Sequence, residues 1–155
     1  MRMKFIRIMV LPLLLTAHGL AWSGINGARA AYNQGDYGAA LREWRPLAEQ
    51  GDAGAQLNMG FMYSNGYGVP QDHKEAIKWY RRAAEQGNNR AQYNLGLMYD
   101  AGYGVPQDYV QAHMWYNIAG AAVAVSYRDF VAQEMTPAQI ARAQQLAREW
   151  VGQHP

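Results

Sequence analysis

Apolar positions between Gly51 and Ala122 recur at helical spacing, and they do so twice. Ala55, Met59, Met62 and Tyr63 are three and four residues apart and share one face; Ala91, Leu95, Met98 and Tyr99 repeat the stripe. A second stripe follows each: Ala76, Trp79, Tyr80 and Ala83, then Ala112, Trp115, Tyr116 and Ala119. Lys74, Lys78, Arg81, Arg82 and Glu85 fill much of the opposite surface of that second segment. The pattern predicts helices over Ala53–Ser64 and His73–Gln86, and a matching pair in the second copy. Between them lies Gly66-Tyr67-Gly68-Val69-Pro70-Gln71-Asp72, returning as Gly102-Tyr103-Gly104-Val105-Pro106-Gln107-Asp108. The glycines end one helix and the proline blocks its continuation. Asp72 opens the next, with Glu75 placed as in a capping box. Shifting the chain by 36 residues lays Gly51–Gln86 on Gly87–Ala122 with 18 identities, so the unit is an internal repeat. Gly60 and Gly96 sit on the apolar stripe, where glycine costs a helix about 1 kcal/mol relative to alanine. Close approach of the partner helix is the expected reason.

The flanks are read from the same unit. Trp22–Ala28 reads as a mobile lead-in and Ala28–Asn33 as a short helix ended at Gly35, with Asp36 capping a helix over Tyr37–Gln50. Ala40, Trp44 and Leu47 share the phase of Ala76, Tyr80 and Ala83, so residues 22–50 form a degenerate, capping first repeat. Residues 51–86 and 87–122 are repeats two and three. After Ala119 the pattern departs. The helix from Asp108 is expected to run on or kink near Gly120, with a short helix around Tyr127–Glu134. Thr136-Pro137-Ala138-Gln139 then opens a last helix reaching about Val151. Ile140, Ala143, Leu146, Ala147 and Trp150 make its apolar stripe, expected to seal the stack within residues 123–155. The fold class is all-α.

Composition changes this picture in three places. Half of the 155 residues are apolar, enough for a packed core. With no cysteine there are no disulfides, thiol nucleophiles or thiolate metal sites. Residues 1–21 carry Arg2, Lys4 and Arg7, then an apolar run with Gly19 and Ala21 before a cut at Trp22, the layout of a signal peptide; Ala28-Arg29-Ala30 offers a second cut. The expected location is outside the cytoplasm, periplasmic or secreted, with membrane contact only through the leader before cleavage. Retention of the leader would instead give a membrane-tethered assembly factor. Removing its three bases leaves eleven basic against twelve acidic residues, so no nucleic-acid partner is expected.

With Ala-Gln-x-x-[Leu/Met]-Gly-x-x-Tyr, Gly-Tyr-Gly-Val-Pro-Gln-Asp and Ala-x-x-Trp-Tyr-x-x-Ala on a 36-residue period, the chain resembles the Sel-one-like repeat family, relatives of the tetratricopeptide repeats. The resemblance covers Gly51–Ala122 well and Ala28–Gln50 loosely. It implies an α/α superhelix (solenoid) of antiparallel helix pairs, first helices lining the inner surface, closed here by a C-terminal capping helix. It also implies a scaffold or adaptor role, in keeping with export from bacteria.

Candidate chemistry is sparse. Asp72 and Asp108 are placed to cap helices; His73 and His113 lack metal-ligand spacing; the Gly-Tyr-Gly-Val-Pro turn has a proline where phosphate-binding amides would be needed. The Trp-Tyr pairs have the phase of core residues. No cofactor and no metal are expected. Two surfaces remain. Tyr67 and Tyr103 occupy equivalent turns and either present their rings on one edge or pin the turn against Pro70 and Pro106. Leu57, Asn58 and Phe61, matched by Tyr93, Asn94 and Leu97, lie off the core stripe of the first helices; they either line a groove for a peptide or are consumed between repeats. The reading is a non-catalytic scaffold of the bacterial envelope that binds a protein or peptide partner. The alternative is an enzyme acting on cell-wall peptides or glycans, for which the sequence offers no nucleophile–base set or carboxylate pair.

Overall fold

The structure is a computed structural model and describes residues 24–154. The expected leader and the cut before Trp22 lie outside the described residues. Helix α1 covers 24–33, followed by α2 (Tyr37–Glu49), α3 (Ala53–Asn65), α4 (His73–Glu85), α5 (Asn89–Ala101), α6 (Tyr109–Ala119), α7 (Ala122–Val131), a 3-10 turn (Ala132–Glu134) and α8 (Pro137–Gln153). Among the described residues there is no strand, and helices pack against their chain neighbours in adjacent pairs. The chain is an all-α solenoid.

Asp36, Asp52, Asp72, Asn88 and Asp108 each accept a hydrogen bond from the backbone N–H three residues on, opening α2 to α6 in turn. The expected capping box at Asp72 is only half made. Asp72 Oδ1 takes the Glu75 N–H at 3.0 Å, but the Glu75 carboxylate turns outward to accept from Lys78 at 2.7 Å. The full box forms at Thr136, where the Gln139 N–H donates to Thr136 Oγ1 and the Thr136 N–H donates to Gln139 Oε1. Each long turn is closed by its own glutamine: Gln71 and Gln107 donate to the Ser64 and Asp100 carbonyls at 2.8 and 2.7 Å.

The helix pairs meet at glycine. A β-carbon built on Gly60 would lie 2.5 Å from the Tyr80 ring, and one on Gly96 would collide with Tyr116. Both rings are buried, and Trp79 and Trp115 are buried beside them at 5% and 4% exposure. Trp79 reaches back into the cluster of α2 and α3, with Leu41, Trp44, Met59 and Met62; Trp115 does the same one unit later, with Tyr80, Leu95 and Met98. The small-and-large alternation therefore builds a series of three core clusters, bridged by the partly buried Tyr63 and Tyr99.

Two stretches differ from expectation. Residues 24–27 are helical, although Gly24 and Gly27 favoured a lead-in: Ala28 is fully buried and Gly24 lies against Leu47 of α2, so packing overrides local propensity. At the other end α6 stops at Ala119, where Gly120 turns left-handed, and the next helix begins at Ala122 rather than near Tyr127. No side chain caps α7; burial of Ala124 and Val131 against α6 holds it. α8 covers the last pair as expected, with Ala143 and Ala147 buried and the Trp150 ring edge-on to Trp115 at 5.4 Å.

His113 on α6 is 3% exposed, with its Nδ1 unpartnered. Burial first, and then the Arg128 charge on α7, hold its pKa below the ordinary 6.5, with Asp129 partly opposing. The fold thus favours the neutral ring. Its contribution is complete above pH 6.5, the unfolded value, and is lost as pH falls through the lower folded value. The melting temperature should fall from about pH 7 to about pH 5 less steeply for His113→Gln than for the wild type; equal slopes would assign the loss elsewhere. Gly60→Ala sets two effects against each other: about 1 kcal/mol of helix propensity gained and about 1–3 kcal/mol of overpacking against Tyr80. A lower urea midpoint is expected, and a raised one would show that the ring yields freely.

Candidate partner-binding groove

Each repeat is fastened to the one before it by contacts that also set the inner wall. Gln56 and Gln92 lie on the buried side of α3 and α5 and donate to the Ala48 and Ala84 carbonyls, both at 3.1 Å, near the C-terminus of the preceding outer helix. Their repetition beside the buried alanines was visible in the sequence, but the acceptor is reached only through the fold. Gln86 Nε2 donates to Gln56 Oε1 at 2.8 Å. Ala122 stands one period later, and Gln92 Oε1 is left without a partner. Arg45 donates to the Tyr63 hydroxyl and Arg81 to that of Tyr99, both at 3.1 Å.

The turn tyrosines complete the fastening. Tyr67 stacks on Tyr37 at 4.5 Å and 7°, and Tyr103 stacks on His73 at 4.9 Å and 18°; Tyr37 and His73 are the first residues of successive outer helices. The glycine after each tyrosine has φ near +70°, and a β-carbon there would strike the start of that outer helix: Tyr37 and Leu41 at Gly68, His73 and Lys74 at Gly104. Only glycine fits both the backbone angle and the space. The partner of each turn ring is therefore the preceding repeat. Tyr103 still keeps 52% of its surface exposed.

With the repeats so placed, α1, α3 and α5 enclose an open groove of about 750 Å³. Leu57, Asn58 and Phe61 come from α3, and Tyr93 and Asn94 from α5. These five expected residues share the groove with Arg29, Tyr32 and Asn33 of α1, Trp44 of α2 and Arg90 of α5. A smaller hollow of about 280 Å³ adjoins it, sharing Phe61 and Asn94 and adding Leu97, Tyr103 and Asp100. Seven of the eight expected positions thus form one continuous surface. Tyr67 lines neither hollow; its ring is covered by Tyr37 and meets Phe61 at 5.9 Å. Leu57, Asn58, Tyr93, Asn94 and Leu97 are half-buried, and Phe61 is 39% exposed. Contacts between repeats cover part of each side chain and the groove keeps the rest.

The contribution of α1 was missed, because a glycine-bearing lead-in gave no reason to bring Arg29, Tyr32 and Asn33 to the wall. The aromatic side is a linked set. Tyr32 lies 6.3 Å from Phe61, and Tyr93 meets Tyr127 of α7 edge-on at 5.5 Å. Burial, with a hydrogen bond and charge interaction with Tyr127, pushes the Tyr93 phenol up to about 12, and burial also raises Tyr32; both are neutral donors at physiological pH. The lining of the larger hollow holds no carboxylate, histidine, serine or threonine. It offers amides, guanidinium groups and rings.

The Sel1 repeat family model matches residues 53–88 and 89–122. The chain carries two Sel1 repeats. Two solved Sel1-type structures resemble it. One is a protective antigen present in uropathogenic Escherichia coli strains and displaying an SLR fold, with a TM-score of 0.83 and 29% identity over 90% of this chain. The other is a Sel1 repeat protein from Oxalobacter formigenes, with a TM-score of 0.66 and 30% identity over 84% of this chain. The chain spans 31% and 55% of those two proteins' lengths. No curated protein matches the sequence. Sel1 repeats generally mediate contacts between proteins.

Proposed function

We propose that this Sel1-repeat chain is a non-catalytic scaffold whose inner groove holds a peptide segment of a partner protein. The observation that carries the reading is the equivalent placement of Asn58 and Asn94, one repeat apart, in a groove edged by Leu57, Phe61 and Tyr93. A carboxamide both donates and accepts, so two of them at repeat spacing suit the alternating N–H and C=O groups of an extended backbone, while the rings and leucine accept apolar side chains. Fold alone does not choose between binding and catalysis; the absence of a nucleophile–base set among the lining residues favours binding.

Asn58→Ala with Asn94→Ala is expected to weaken capture of partners in pull-downs from envelope extract, with helical content and melting temperature nearly unchanged. Equal capture by the double variant would remove the groove as the site.

The envelope location belongs to the same proposal. It rests on the basic and apolar residues 1–21, and no described helix is long and apolar enough to cross a membrane. A cut before Trp22 leaves α1 whole, whereas a cut after Ala30 removes the fully buried Ala28 and the groove residue Arg29. Mass spectrometry of protein purified from cells should therefore find an N-terminus near Trp22. An intact Met1 would indicate a retained tether instead.

A further inference from the structure

The three inner-wall helices carry very little charge. Residues 24–33, α3 and α5 together hold Arg29, Arg90 and Asp100. The two arginines line the groove, and Asp100 lies in the smaller hollow beside it, where the Tyr116 hydroxyl donates to its Oδ2 at 3.3 Å. Among the described residues the ion pairs are Lys78–Glu75 and Arg128–Asp129, so neither groove arginine has a carboxylate partner. The outer surface mixes both signs, with Lys74, Lys78, Arg81 and Arg82 beside Glu75 and Glu85 on α4 alone. The groove is therefore a positively charged trough in a chain that, outside residues 1–21, otherwise holds nine basic against twelve acidic residues. Its low-dielectric aromatic walls focus that field on whatever enters.

We infer that the groove selects an extended peptide segment in which acidic residues are interleaved with apolar ones. This rests on the groove being the binding site. Arg29 of α1 and Arg90 of α5 line the groove together with Asn58 of α3. Acidic side chains pair with the guanidinium groups through charge-assisted hydrogen bonds, and apolar neighbours lie on Leu57, Phe61 and Tyr93. The chain's own residues 1–21 do not fit, because Arg2, Lys4 and Arg7 are repelled by the same arginines and no acid accompanies them. The occupant comes from another molecule.

The test pans short random peptides displayed on phage against the full chain, and then titrates the enriched peptides by fluorescence anisotropy. Enriched sequences should contain Asp or Glu. Their binding should weaken as salt is raised and fall by at least about tenfold on Arg29→Glu with Arg90→Glu. Both arginines are exposed, so reversal leaves the core intact, and an unchanged melting temperature checks this. The same peptides should also weaken on the Asn58→Ala, Asn94→Ala variant. Winners without acidic bias that tolerate charge reversal but lose binding on the asparagine variant would overturn the acidic preference and leave the groove in place. Failure to enrich any peptide, or enrichment indifferent to both variants, would overturn the preference and the groove together.

Discussion

The structure depends on a close approach at two points, where a tyrosine ring occupies the volume that a β-carbon would take on Gly60 and Gly96. Glycine in mid-helix weakens the helix that contains it, and the loss is offset only if a large apolar group is buried in return. Tyr80 and Tyr116 supply that group, and the neighbouring tryptophans use the same proximity to reach into the preceding unit. Without the two glycines the helix pairs would stand further apart, and the inner helices would diverge from the outer ones that support them. The groove is a by-product of this spacing: inner helices held at a fixed phase present equivalent residues at equivalent depth.

Spacing within a unit does not by itself determine how units are arranged relative to one another. That task falls to the turn, where a tyrosine stacks on the first residue of the preceding outer helix and a left-handed glycine admits that helix's backbone. The buried glutamines and the Arg–Tyr bonds secure the same joint from other sides. Four kinds of contact at one interface leave little freedom for neighbouring repeats to rotate. Binding by such a scaffold starts from a pre-shaped surface, which reduces the ordering cost that a loop-built site would bear.

Much of this was legible in the chain itself because it rests on local chemistry repeated at a fixed interval. Asp72, Gly66 and Pro70 announce a boundary whatever surrounds them, and Gly60 on an apolar stripe announces a neighbour. Thr136 and Gln139 specify the start of α8 on their own. The parts that escaped depend on distant partners. Gly24 and Gly27 look like linker until α2 is placed beside them, and Ala121 and Ala122 open a helix with no capping side chain, so only the packing of Ala124 and Val131 reveals it. The groove was half-visible for the same reason. Leu57, Asn58, Tyr93 and Asn94 could be found by subtracting the core stripe from the helix, but Arg29 and Tyr32 lie on a wall whose existence depends on the α1 packing that composition argued against.

The amide pair between Gln56 and Gln86 also says how such a chain tolerates change in length. The pair is made within one unit, and the last unit, where Ala122 follows, is left with a single unmatched oxygen on Gln92. Threading further 36-residue copies ahead of Gly87 would give each newcomer a finished pair and hand the unmatched oxygen along to the terminal unit, so the number of such defects stays constant while the trough lengthens. Duplication is then a low-cost route to a longer grip, and it is the closing segment from Gly120 onward, rather than the repeating body, that limits where growth can be inserted.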